Sequence, residues 1–281
     1  MSLVATHKLD GRSWKAELSL TYHKSHGRSV IAKREHVGPL VVQKPFYPEG
    51  DEVCHTYLLH PPGGVVGGDQ LTVNIEVNSG AHALVTTPAS TKFYRCDDRH
   101  ARQNQNLTVA DNAILEWLPQ DTILFDQSKV NTVTRIELSA QARFAGWEIL
   151  CLGRPACGEL FSQGYCRQIF EIWRAGKPEL IERSNLIGGS ELLEAKWGMA
   201  SYSVIGLMVV VRANNDMLEL ARSIESVNNG LASLTLMGDI LVCRCLARQG
   251  IEAREYFTRV WQVIRNDWIG RPAEPPRIWN T

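Results

Sequence analysis

Hydrophobic and polar positions alternate through the first half of the chain. Trp14, Ala16, Leu18, Leu20 and Tyr22 are separated by polar neighbours, the period of two that marks a strand with one face buried. Similar short runs follow at Val30–Glu35, Leu40–Phe46, Val53–His60, Leu71–Val77, Ala81–Thr87, Gln105–Val109, Ala113–Leu118 and Val133–Leu138. Gly, Pro, Asn and Asp bound most of them, residues that break strands and form turns. Short strands in this rhythm, without helical patterns between them, predict stacked or sandwiched sheets rather than βαβ units.

From Ser139 the spacing changes. Ala142, Ala145, Ile149 and Leu152 recur every three to four residues and predict a first helix, stopped by Gly153 and Pro155. Strand patterns return at Tyr165–Trp173 and Leu180–Leu186, joined by the hairpin turn Ala175-Gly-Lys-Pro178. Val204–Val211 reads as a fully buried strand. A second helix is predicted from a cap at Asn214, Asn215 or Asp216 toward Val227, and strands from Leu231–Met237 and Leu241–Leu246. The third helix, about Glu252–Trp268, has the clearest stripe: Phe257, Trp261, Ile264 and Trp268, flanked by Tyr256, Val260 and Val263. No composition break separates two parts. The expectation is one mainly-β domain over residues 1–281, with about three helices packed on its sheets.

Composition narrows the function classes. The 281 residues are 44% apolar and 21% charged, ordinary for a globular protein with a core of its own. Thirty basic residues balance 30 acidic ones, so the chain lacks the net basic charge that phosphate backbones demand, and a nucleic-acid partner is not expected. Zero net charge also gives weak repulsion between copies, which fits a life inside a complex. No basic start with an apolar core opens the chain, and Val204–Val211 is too short to span a bilayer. Seven scattered cysteines make no disulfide framework. The expectation is a cytoplasmic protein with reduced thiols and no membrane partner.

Catalytic signatures are missing. There is no HExxH, GxSxG, GxxxxGKS or GxGxxG. All eight histidines lie at or before His100, and none is paired at i, i+4. His55 and His60, five apart in one predicted strand, would face opposite ways. Cys243 and Cys245 would share one strand face, which a soft metal could use, but their neighbours are apolar and a small buried hydrophobe is the plainer role.

One segment stands apart: His60-Pro-Pro-Gly-Gly-Val-Val-Gly-Gly-Asp-Gln-Leu71. The prolines Pro61 and Pro62 pre-set an extended entry, and the pairs Gly63-Gly64 and Gly67-Gly68 allow positive φ or close backbone approach. Three readings compete. The turn could cradle phosphate with backbone N–H groups, although no lysine accompanies it. It could be a purely structural corner. It could be a shaped surface for a partner or an ion, with Asp69 aimed by the turn.

The same segment resembles the signature of the UreD (UreH) family of urease accessory proteins. Further blocks follow in family order: Glu35-His-Val-Gly-Pro-Leu40 with Gln43-Lys-Pro-Phe-Tyr-Pro48, Thr91-Lys-Phe-Tyr-Arg95, Leu115-Glu-Trp-Leu-Pro-Gln-Asp121 with Phe125, Gly146-Trp-Glu148 with Cys151-Leu-Gly-Arg-Pro155, and Pro276-Arg-Ile-Trp279. The resemblance runs from about residue 14 to the end, with no motif over 192–229. It implies a helix-like stack of strands forming two packed sheets. It implies a non-enzymatic scaffold that binds UreF directly and UreG through UreF, docks on apo-urease, and helps deliver nickel to the urease active site. No permanent cofactor or metal is implied, only nickel in transit, and a dimer within the accessory complex is allowed. The alternative from the residues alone is a phosphate- or nucleotide-binding enzyme built on the glycine-rich turn.

An ion path needs weak acidic sites in a partly desolvated place, because a tight site would trap its cargo. Asp69, Glu148 and Glu182 have motif-locked or apolar neighbours, with His60 and Asp121 as second choices. The competing reading for each acid is a buried carboxylate paired with an arginine, for which Arg154 and Arg183 lie nearby in sequence. The aromatic residues Tyr256, Trp261, Trp268 and Trp279 are candidates for docking UreF, since aromatic anchors are enriched at interfaces.

Overall fold

A computed structural model describes residues 8–9 and 13–280. Among the described residues, eighteen strands and three α-helices follow one another. The strands are β1 (Lys8–Leu9), β2 (Ser13–Ser25), β3 (Arg28–Val37), β4 (Val41–Val42), β5 (Val53–Leu59) and β6 (Gln70–Val77). Next come β7 (His82–Thr86), β8 (Thr91–Phe93), β9 (Ala101–Val109), β10 (Ile114–Trp117), β11 (Thr122–Leu124) and β12 (Lys129–Leu138). They continue with β13 (Arg143–Leu152), β14 (Tyr165–Arg174), β15 (Lys177–Ile187), β16 (Val204–Val211), β17 (Leu231–Met237) and β18 (Ile240–Ala247). The helices are α1 (Glu191–Glu194), α2 (Asn215–Arg222) and α3 (Gly250–Ile269).

The chain winds as a helical stack. From β5 to β14 the longer strands fall alternately in two sheets with parallel neighbours, while the short β8 and β11 pair parallel to each other beside β13 in the second sheet. β2, β6, β9, β12 and β14 line up in the first sheet. β5, β7, β10 and β13 line up in the second. Antiparallel strands close both ends: β3 on β2 and β15 on β14 in the first sheet, and β4 on β5 and β16, β18 and β17 beyond β13 in the second. The stacked-strand expectation is met. No helix among the described residues is long and apolar enough to cross a membrane.

Two apolar layers hold this together. One lies between the sheets and includes Leu18, Leu20, Val73, Leu115, Phe144 and Phe170. The other lies between the second sheet and helices α2 and α3, around Trp147, Met208, Phe257, Trp261 and Trp268. β13 serves both layers, since its residues point into each in turn. That explains the largest error of the sequence reading. The predicted first helix around Ala142–Leu152 is the strand β13, and Glu148 therefore sits in a strand. A strand buried on both faces is apolar almost throughout, so no alternation shows and chance spacings of three and four mislead. The third helix of the structure is instead α1, a single turn.

The other two helices are as expected. The Asn214 side chain caps α2 by accepting from Met217 N at 2.9 Å. Helix α3 begins with a capping box between Gln249 and Glu252 and ends at Gly270 in the left-handed region. Its aromatic stripe faces inward. Tyr256, Trp261 and Trp268 are buried, and Trp268 Nε1 donates to the Val211 carbonyl at 2.8 Å. These three are anchors of the helix to the sheet and present no docking surface, a correction to their expected role. Trp279 is half-buried. It packs on Trp147 and Trp261 and donates to Thr86 Oγ1 at 2.8 Å, folding the C-terminal tail back over the second sheet.

A polar passage between the sheets

The registry of the first sheet decides what faces the gap. Leu71, Gln103, Thr132, Gln168 and Ser184 are Cα partners in one row across β6, β9, β12, β14 and β15. The next row inward is Val73, Gln105, Thr134, Phe170 and Glu182. Strands stack about 4.8 Å apart, so Gln103, Gln105, Thr132, Thr134, Gln168, Ser184 and Glu182 stand side by side between the apolar Leu71, Val73 and Phe170 of the same rows. The second sheet answers with the row Glu148, Leu207, Arg244 and Ser233.

Glu148 lies at the centre. Gln168 Nε2 donates to its Oε2 at 2.6 Å. The Thr134 hydroxyl joins its other oxygen to Gln105, 2.6 Å from Gln105 Oε1. Burial pushes the Glu148 carboxyl above its ordinary pKa, and the Thr134 and Gln168 hydrogen bonds offset this only in part. A carboxyl in this state is reluctant to hold a charge alone and readier to hold one beside a cation.

Two cavities flank it and share Glu148 and Gln168 in their walls. The inner one, about 230 Å³, is lined by His60, Pro61, Gly63, Gly64, Ser90, Lys92, Gln103, Gln105 and Gln120. The outer one, about 330 Å³, is lined by Glu182, Ser184, Leu231, Ser233 and Arg244. Within the inner cavity, Gln103 Oε1 and Trp117 Nε1 are buried with no hydrogen-bond partner.

The glycine-rich segment forms one wall of the inner cavity. Gly63 N donates to the His60 carbonyl at 3.0 Å, closing a turn over the two prolines. Val65 N donates to the Lys92 carbonyl and Tyr94 N to the Val65 carbonyl, at 2.8 and 2.9 Å. A Cβ on Gly64 would run into the Tyr94 ring, and one on Gly67 would lie 2.5 Å from Cys96 Cβ. Asp69 fastens the corner. Its Oδ2 accepts from Val66 N at 3.1 Å and its Oδ1 from Trp14 N at 2.8 Å. The N–H groups of Gly63, Val65, Val66, Gly68 and Asp69 all donate within the protein, so they cannot cradle a phosphate.

Of the candidate ion-path residues, Glu148, Glu182 and His60 line the cavities. Burial lowers the His60 pKa, partly offset by the charge of Asp69. Asp69 lies instead under the turn, bound to backbone and, among the described residues, to no arginine in an ion pair. Asp121 is not in the wall of either cavity; it accepts from Ser90 Oγ at 2.8 Å and Cys151 Sγ at 3.4 Å. The arginines near in sequence serve other acids. Arg154 pairs with Glu159, Arg183 approaches Glu171 at 3.9 Å, and Glu182 pairs with Arg244. Cys243 and Cys245 are buried under α3, where burial pushes the Cys243 thiol up to about 12, and no cluster of three metal-ligating side chains exists among the described residues. The sequence reading missed Gln103, Gln105, Thr132, Thr134, Gln168, Ser184 and Arg244. A signal existed: Gln103 and Gln105 share the parity of Leu107 and Val109, inward positions that apolar residues should fill.

The sequence of the UreD urease accessory protein family matches residues 15–280. The chain belongs to that family. It is 42% identical over its whole length to the whole of the urease accessory protein UreD of Pseudomonas fluorescens. It is 42% identical to that of Escherichia coli and 39% to that of Klebsiella aerogenes, over 96% of this chain and 98% of each relative. These relatives are named as accessory proteins, and membership places the chain in urease maturation as an accessory protein rather than an enzyme.

Proposed function

We propose that the chain is the scaffold of a UreD–UreF–UreG assembly that docks on apo-urease in the cytoplasm, and that the passage between its sheets conducts nickel toward the urease active site. The observation that carries this reading is Glu148, a half-buried carboxyl in the shared wall of two neighbouring cavities between the sheets. Among largely apolar walls that also carry Lys92 and Arg244, the two cavities share a set of glutamine, threonine, serine and two glutamate side chains, oxygen ligands that suit a borderline divalent cation without the tight cluster that would hold it. The unpartnered Gln103 oxygen is one more such ligand. Nickel is cargo here, not a resident cofactor.

The test is a coexpression of this chain with UreF, UreG and apo-urease under limiting nickel. Thr134→Val with Gln103→Leu would remove two of the oxygen ligands beside Glu148 while keeping side-chain volume. The expected result is a co-purifying complex whose urease holds several-fold less nickel. Unchanged nickel would sink the conduit and leave a clamp that acts on urease without passing the ion.

A further inference from the structure

Among the described residues, Arg244 is the one basic side chain in the wall of the outer cavity. It starts from β18 in the second sheet and pairs with Glu182 on β15, the edge strand of the first. The ion pair therefore spans the gap between the sheets at their open margin. Its two side chains are 44% and 32% exposed, so it stands where the cavity meets solvent. Glu148 lies behind it, two strands away in the same row, about 10 Å along the sheet.

This arrangement is odd for a path that favours cations. A guanidinium stays protonated at any physiological pH and repels a divalent ion. Glu182 can serve an arriving cation only after Arg244 has left it. A pair this exposed contributes little to stability, so it can open at small cost. The long side chain is half in solvent and has room to swing outward.

We propose that the Arg244–Glu182 pair is a charge gate at the outer end of the passage, in which Arg244 competes with the travelling cation for Glu182. This rests on the cation-passage reading above and adds its control. The gate is shut by the guanidinium in the resting chain. It opens by displacement of Arg244, not by loss of a proton.

The experiment is equilibrium dialysis of the purified full chain against nickel(II), with thermal melts to confirm that each variant is folded. Arg244→Gln should bind nickel about tenfold more tightly than the parent, since a unit positive charge has been removed from beside a doubly charged ion. Glu182→Gln with Arg244→Gln should lose that gain. Arg244→Lys, which keeps the charge, should stay near the parent. Equal affinity of Arg244→Gln and parent overturns the gate, as does a gain that survives in the double variant. Urease nickel content in cells separates the two readings. A Glu182-dependent gain in affinity, with urease loading indifferent to Glu148→Gln, keeps the gate and removes the delivery role. Loading that depends on Glu148, with Arg244→Gln binding no more tightly than the parent, removes the gate alone.

Discussion

Arg265 and Glu116 meet in the interior with no solvent exposure. Arg265 Nη2 lies 2.8 Å from Glu116 Oε1, and Nε lies 2.9 Å from Oε2. The same guanidinium reaches Glu49 at 2.7 and 2.9 Å, while His82 and Trp261 complete the shell of Glu116 at 2.7 and 2.6 Å. His55 holds Glu49 at 2.7 Å. One helix, three strands of the stack and the loop before β5 are tied at this point. Desolvated charges are tolerable only when fully paired.

Removing one partner should therefore be costly. Arg265→Met leaves two buried carboxylates without their cation, and a loss of about 3–5 kcal/mol is expected in urea denaturation. Adding Glu116→Gln to Arg265→Met should recover part of that loss, because one stranded charge is gone. A loss below about 1 kcal/mol for the single variant would mean that the network is incidental.

The same network sets an acid limit. Burial would raise the Glu116 pKa, but the His82 hydrogen bond and charge, with the Arg265 guanidinium, outweigh it and lower the pKa from 4.5 to about 2. The ionised form is thus favoured by folding. Its contribution is fully present above pH 4.5 and drains away as pH falls through about 2. Urea midpoints of parent and Glu116→Gln should differ widely at neutral pH and converge toward pH 2. Parallel curves over that window would refute the assignment.

Much of this was legible in the residues, and the gaps have physical causes. Strands with one wet face announced themselves, as in β2, where Ala16, Leu18, Leu20 and Tyr22 are buried and the residues between are not. β13 did not, because both of its faces are covered. The glycine segment forms a constrained corner, one of the three readings its residues left open, yet the task of Asp69 was not visible. Whether a carboxylate after two glycines aims outward or back at its own turn depends on where Trp14 N lies, 55 residues away in sequence. The row of polar side chains was hidden for a similar reason. Parity with Leu107 hints at Gln103, but Thr132 and Gln168 look like solvent-facing positions until the registry of three strands puts all three side by side.

The corner itself can be tested by adding single methyl groups. Gly64→Ala would push into the Tyr94 ring, and Gly67→Ala into Cys96 Cβ and the Arg99 carbonyl. Backbone on one side and a packed ring on the other leave little room to yield, so each should cost about 1–3 kcal/mol and lower the melting temperature by several degrees. Gly63→Ala meets nothing within 4 Å, and its penalty comes only from φ +76. It should be the mildest of the three, a ranking that a melting series reads directly.

Glu148 offers the sharpest contrast between stability and function. Its pKa is raised in the folded chain, so the fold prefers the neutral form and ionisation at neutral pH costs stability. Glu148→Gln removes that cost. The glutamine can keep both hydrogen bonds, one to Thr134 and one to Gln168 after an amide flip. The variant should be more stable than the parent at pH 7, and the advantage should shrink as pH falls and the parent carboxyl takes up its proton. In cells with limiting nickel, the same variant should leave urease several-fold poorer in metal, because a neutral amide cannot balance a divalent charge in a partly desolvated place. A purely structural Glu148 gives a different pair of results: no gain in stability at pH 7 and full urease loading. Measuring denaturation midpoints and urease nickel on one variant therefore decides whether this carboxyl is kept for the fold or for the passage.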